Sequence, residues 1–490
     1  MIITLQWLYE KHPANNSQVL LDNMHSLHEE AYDWQHWFSE GVFPKKPRNE
    51  LPWDWVERHF PFEHGVNAAQ GLKAGAVMRR FIDNDTLLES ARRGVNLTYT
   101  YHGTASGTII ADEVLQGLSP TSGSELCTAV EIMYSLSYLY HAMGDRIFAD
   151  YGELAAFNAM PVMISPDWWS HQYLTQANQP QATDLTETPF WNVGNQGIIY
   201  GLEPNYPCCT ANHPQGYPKF LAASVVRVGT NGLGHALLAP FEAVTSLGDG
   251  HKVTIRCDTH YPFDLAFTYT ITTDTAFDFH VRVPNWTQSS ASTFTLNALA
   301  TSPISPDPHT GMHRISIPAG TSTILYQLSA TITIQPRPHD TVAIRHGALL
   351  YSLDIAQQVK RQPARHYGSA GPLPARFQTN YTHDYQISSA SPWAVAIDPS
   401  SARFHRNATD KLKSPIWARG APPTWITIQA CEIAWGMNSG VIAEPPRKGH
   451  RRCLGDMFEA RMIPFGAAKL HMSELPVVDP RVVQDGVLEL

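Results

Sequence analysis

The hydrophobic pattern of this chain changes period once, and that change constrains the architecture more than any other feature. Up to about residue 228, apolar residues recur at helical spacing, in segments near 17–38, 64–82, 86–101, 124–143 and 145–163. In the helix expected after Ser124, Leu126, Val130, Met133 and Leu136 share one broad apolar face. Paired segments of this kind, separated by loops rich in Gly, Pro and Asn, predict antiparallel helical hairpins. From about residue 235 the period falls to two. His251–Cys257, Leu265–Thr272, Phe277–Val283 and Ser322–Gln327 alternate, and they are rich in Thr, Val and aromatic residues. Turn residues at short intervals make these antiparallel sandwich strands. A second β segment starts near Thr341–Tyr351. The expected fold is therefore multidomain α plus β: a helical domain over residues 1–230, a β-sandwich over 231–338 and a second β-sandwich over 339–490.

Composition narrows the function. The formal charge is −9 and only 16% of residues are charged, a balance that argues against a nucleic-acid partner, which would need a basic face. No apolar run is long enough to span a membrane. Residues 1–10 lack the basic and apolar regions of a secretory signal and read as an amphipathic helix already under way. Asn-x-Ser/Thr triplets at Asn15, Asn84, Asn96, Asn285, Asn380 and Asn407 lean the other way, towards a secreted glycoprotein. Between about 165 and 215 the helical period disappears, and Trp168, Trp169, Tyr173, Trp191 and Tyr200 are scattered through a long loop region. Such a stretch inside a helical domain marks a binding surface more often than filler.

The chemistry-bearing residues cluster in the helical part. Of six cysteines, Cys127, Cys208 and Cys209 lie there, the last two adjacent. Thiolates favour zinc, and Glu125 stands two residues before Cys127 as a fourth ligand. Other readings are open at this point. Ser122-Gly-Ser-Glu125 is also a capping box, Cys127 is compatible with a buried core thiol, and Cys208-Cys209 with a vicinal disulfide or with pairing to other cysteines. Glu113 in Ala111-Asp-Glu113 is a general-acid candidate on a loop before Gly117-Leu-Ser-Pro120. His64, Glu153 and Tyr173 are further polar candidates, each on its own as compatible with a structural role.

Ser124-Glu-Leu-Cys127 followed by Thr-Ala-Val-Glu-Ile-Met-Tyr, with Glu203-Pro-Asn-Tyr-Pro-Cys-Cys-Thr-Ala-Asn-His-Pro-Gln-Gly216 and Val281-Arg-Val-Pro-Asn-Trp286, resembles glycoside hydrolase family 127 and its fungal branch in particular. The resemblance runs over nearly the whole chain. It implies an (α/α)6 barrel followed by β-sandwiches, β-L-arabinofuranosidase-type retaining hydrolysis of a carbohydrate, and a zinc ion held by Glu125, Cys127, Cys208 and Cys209. Cys208 would be the nucleophile and Glu113 the acid/base, with the loop from Glu113 to Glu125 about four residues shorter than the family pattern. His64, Glu153 and Tyr173 would contact the sugar. A retaining glycosidase ordinarily uses two carboxylates. Here a metal-deprotonated thiolate would replace one of them, and the anionic site would favour an oxocarbenium-like transition state.

Set against that pattern the chain is short at its N-terminus: about seven barrel helices are counted where twelve are needed. An incomplete barrel would expose apolar helix faces and favour self-association. Two other readings follow, a catalytically inactive carbohydrate-binding homologue and a non-hydrolytic enzyme on the same scaffold.

Overall fold

The structure is a computed structural model that describes residues 1–366, 371–479, 481–482 and 488–489. Helices fill the chain up to Ala222, and strands dominate from Val225 onward. The helix Leu126–Met143 is the axis of the first part. It ends on Gly144 in the left-handed conformation, and thirteen of its side chains are buried, from Leu126 to Tyr140. Around it pack Gly65–Gly71, Ala74–Arg79, Arg146–Leu154 and Gly216–Ala222, while Thr86–His102 packs on Ala74–Arg79. The segment expected as one helix over 145–163 contains a π-turn at Ala155–Ala159. Pro161 has no N–H to donate back along the helix. The Asn158 amide turns outward instead, donating to Ala348 O and accepting from Leu350 N, both at 2.8 Å.

The first β part is a sandwich. One sheet runs 302–303, 293–296, 320–327, 266–273, 252–259, 241–246, and the other 312–317, 277–282, 232–235, 225–228. The period-two pattern sets the faces: Val253, Ile255 and Cys257 point inward with Phe267, Tyr269 and Ile271 of the paired strand. Across the core, His235 Nδ1 lies 2.9 Å from Tyr269 OH, and Tyr269 meets the edge of Phe279. One pairing departs from the antiparallel expectation, because 277–282 and 232–235 run parallel.

The second β part centres on a seven-stranded sheet, 332–337, 341–346, 349–353, 458–464, 424–432, 395–406, with Leu475–Pro476 beside 341–346. A three-stranded sheet joins 357–363 and 383–389 to Gln181–Ala182, which belongs to the aromatic loop of the helical part. Cys431 and Cys453 form a disulfide, and Cys257 is a free buried thiol. Among the described residues no helix is long and apolar enough to cross a membrane.

A buried ion cluster joins the helices to the first sandwich. Arg282 is fully buried, pairs with Asp150 at 2.5 Å and with Glu153, and donates to Ala236 O. Glu153 also accepts from Leu238 N and Tyr261 OH, both at 2.6 Å. Burial pushes both carboxyls upward in pKa, and Arg282 opposes it. Arg282→Ala would leave two buried carboxylates without a counter-charge, and we expect a loss of about 3–5 kcal/mol. Urea unfolding of the variant measures this, and a loss below about 1 kcal/mol, the worth of an exposed pair, would overturn the assignment.

Candidate active site

Three very short strands lie side by side: Ala111–Asp112, Gly123–Glu125 and Leu174–Gln176. Their ends carry Glu113, Glu125 and Tyr173, and this local sheet is why residues distant in sequence meet. Glu113 sits at the apex of a tight turn whose flanks Asp112 and Val114 pair, with φ +72. A left-handed conformation at a non-glycine residue is strained, and strain of this kind concentrates at functional sites. Gly65 N donates to Glu113 O at 2.8 Å. Gly65 is required there, because a Cβ would stand 2.4 Å from that of Ala111. Its absence lets His64, the cap of the Gly65–Gly71 helix, approach the turn.

Glu125 is not the capping-box glutamate. It is itself the N-cap position of Leu126–Met143 with extended backbone, and its side chain makes no cap bond. It turns instead to the cysteines of the short helix Cys208–Asn212. Cys208 Sγ lies 3.3 Å and Cys209 Sγ 3.9 Å from Glu125 Oε1, Cys127 and Cys209 are 3.3 Å apart, and the adjacent pair is 3.9 Å apart, too far for a vicinal disulfide. All four donor atoms fall within 4.8 Å of one another, a group that could hold a metal ion. Glu125 Oε2 is buried without a hydrogen-bond partner. Burial, then the charges of Cys208 and Glu113, push the Glu125 carboxyl well up in pKa. Hydrogen bonds from Cys127 first, and from Cys209, hold Cys208 below the usual thiol range, while burial pushes Cys209 up.

Beside this group, Tyr173 OH donates to Glu113 Oε1 at 2.5 Å, and His64 Nε2 lies 2.8 Å from Glu113 Oε2. The Val66 N–H donates into His64 Nδ1 at 3.2 Å, which leaves the ring proton on Nε2. His64 therefore faces Glu113 as a hydrogen-bond donor, with Glu125 Oε2 3.8 Å away, beyond hydrogen-bonding distance. These residues line one cavity of about 440 Å³ with Asn67, Asn192, Asn205, Tyr206 and Asn212. A hollow of about 760 Å³ beside Tyr140 and Val226 is larger, but no thiol lines it.

The structure thus brings together His64, Glu113, Glu125, Cys127, Tyr173, Cys208 and Cys209. It does not bring Glu153, which is buried against Arg282 and absent from the cavity wall, so the sugar contact expected of it has no access here. Sequence reasoning did not single out the asparagines of the wall. Asn205 and Asn212 flank the cysteine pair, and that proximity was the only signal for them.

No family model matches the chain. Its fold is that of solved glycoside hydrolases: a structure described as a glycoside hydrolase superposes with a TM-score of 0.66 at 14% identity, covering 97% of this chain and 74% of that one. Two others carry a more particular description. A GH127 β-L-arabinofuranosidase from Geobacillus stearothermophilus T6 gives a TM-score of 0.60 at 15% identity over 97% and 71% of the two chains. A GH127 β-arabinofuranosidase gives 0.62 at 13% over 96% and 68%. A curated relative, Endoglucanase 24 of Oryza sativa subsp. japonica, is 26% identical over 195 residues, 36% of this chain. The chain spans about a third of that relative's length.

Burial and thiol pKa separate the cysteines, since Cys208 is half-buried and Cys127, Cys209 and Cys257 are buried. In metal-stripped, folded protein at pH 6, iodoacetamide should label Cys208 ahead of the other three. Peptide mass mapping reads the order, and equal labelling would contradict it.

Proposed function

We propose that the chain is a retaining glycoside hydrolase of family 127, in its fungal branch, releasing L-arabinofuranose or a similar sugar through a zinc-bound cysteine nucleophile. The observation that carries this reading is that the most accessible thiol, Cys208, shares its cavity with the doubly hydrogen-bonded carboxyl of Glu113. The arrangement we propose is an (α/α)6-type catalytic domain over 1–230, with β-sandwiches over 231–338 and 339–490.

The donor set fits zinc. Tetrahedral Zn–S bonds of about 2.3 Å and Zn–O bonds of about 2.0–2.2 Å require ligand–ligand edges of about 3.5–3.8 Å. Four of the six edges among Glu125, Cys127, Cys208 and Cys209 are 3.3–3.9 Å, and all lie within 4.8 Å. Crowded thiols beside a carboxylate whose second oxygen is unpartnered are the environment a dication neutralises. Bound there, zinc would keep Cys208 deprotonated at neutral pH.

In the first step Glu113 gives a proton to the leaving oxygen as Cys208 Sγ attacks the anomeric carbon, so that a C–S bond forms as the C–O bond breaks. In the second, Glu113 takes a proton from water, which displaces the sugar from sulfur. His64, a fixed donor, occupies Oε2, so the transferable proton belongs on Oε1. There the Tyr173 hydroxyl must turn to accept it. Tyr173 and Cys208 line the same cavity. His64 and Tyr173 act in this reading as positioning groups, and either can also meet the sugar.

Secretion and N-glycosylation belong to the same proposal. Asn15, Asn84, Asn96, Asn285, Asn380 and Asn407 are all exposed, and the Cys431–Cys453 bond persists in an oxidising compartment.

Plasma mass spectrometry of protein purified without chelators should find close to one zinc per chain, with less in Cys208→Ser. Folded protein without zinc would overturn the metal assignment. On an aryl arabinofuranoside, Glu113→Gln should lower kcat by about 10²–10⁴-fold, with activity recovered on substrates whose leaving group needs no proton. An unaffected Glu113→Gln enzyme would remove Glu113 from the acid/base role.

A further inference from the structure

Two aromatic rings outside the cavity are held open to solvent by a structure built for it. Trp169 is 50% and Tyr381 64% exposed. Their centroids lie 5.4 Å apart with the planes 24° from parallel. Single exposed aromatics are ordinary, but a stacked pair contributed by segments some two hundred residues apart is not. Ser170 Oγ fastens the two segments by donating to His383 O at 2.5 Å, and within its own segment Tyr381 N donates to Thr379 Oγ1. Neither polar edge, Trp169 Nε1 nor Tyr381 OH, has a partner among the described residues.

The hairpin that bears Trp169 is continuous with the candidate site. Trp168 takes φ +69, which sends its ring inward against Tyr217, at 5.3 Å, while Trp169 faces out. Ser165 N and Ser170 O close the hairpin at 2.8 Å. The next residue, His171, sets Nε2 3.1 Å from Thr210 Oγ1 on the helix of Cys208 and Cys209. The cysteine helix and the ring pair thus share one bracket.

We propose that Trp169 and Tyr381 form a carbohydrate-docking platform, on which a polysaccharide lies outside the cleavage cavity. A sugar ring presents a C–H face and a hydroxyl rim. The ring pair offers π faces with an indole N–H and a phenol at their edges, and that is the complementary arrangement. A cavity of about 440 Å³ takes in the end of a glycan, so the remainder of a polymer has to travel over the adjoining surface. The choice of a glycan as occupant rests on the glycosidase reading above, whereas the docking itself needs no turnover.

Affinity gel electrophoresis in gels cast with soluble arabinan, arabinoxylan or mixed-linkage β-glucan tests this. The wild type and the Cys208→Ser variant should both be retarded by at least one polymer. Trp169→Ala and Tyr381→Ala should weaken that retardation by about tenfold, Trp169→Phe should restore part of it, and kcat/KM on a small aryl glycoside should stay within about twofold in all three. Unchanged melting temperatures exclude misfolding as the cause. Retardation of the alanine variants equal to wild type, or no retardation of any form in any of the three polymers, would overturn the platform. So would a matching loss of aryl-glycoside activity, which would move Trp169 into the cavity machinery. Retardation of a chain that hydrolyses nothing would leave the platform standing and remove the catalytic reading instead.

Discussion

The site depends on one backbone junction, where the strand Gly123–Glu125 passes directly into the helix Leu126–Met143 and Leu126 N donates to Tyr173 O. At that junction the chain is strand on one side and helix on the other. Glu125 therefore projects from the end of the strand and Cys127 from the first turn of the helix. The same strand pairs with Ala111–Asp112 and Leu174–Gln176, so Glu113 and Tyr173 are set by hydrogen bonds of the backbone rather than by side-chain packing. Moving that strand by one residue would exchange the faces of every group on it.

Much of the scaffold was readable because it rests on period. The helix from Leu126 and the strands 252–259, 266–273, 277–282 and 320–327 bury the faces their alternation predicts, and the helical-to-β transition falls where the pattern changes. What could not be read has identifiable causes. The three site strands are two or three residues long, too short to carry a period, so nothing in sequence announced that Glu113 and Tyr173 meet. The capping box at Ser122 failed because tertiary strand pairing outcompeted a local cap worth about 1 kcal/mol. The adjacent cysteines and Glu-x-Cys were legible as chemistry, since unusual residue types at unusual spacing survive without period. Glu153, expected against the sugar, is held by Arg282 and lies outside the cavity wall.

His64 illustrates how a local and a functional role combine in one side chain. As the cap of a helix it accepts at Nδ1, and that acceptance fixes the tautomer with which Nε2 addresses the acid. The buried Arg282 cluster does something similar on a larger scale, since the charges that fasten the helices to the sandwich also satisfy the backbone at Ala236 and Leu238.

The aromatic loop that carries Tyr173 is stitched to the far end of the chain. Asn178 and Gln179 pair with His471 and Met472, Asn178 donates to Glu474 O and accepts from Ser473 N, and His471 Nε2 lies 2.8 Å from Gln176 O. Nearly three hundred residues separate the partners. During synthesis the loop therefore waits, complete in sequence but without its support, until the strand at 471–472 has left the ribosome. The site gains this support only after everything between Cys209 and the strand at 471–472 has been made.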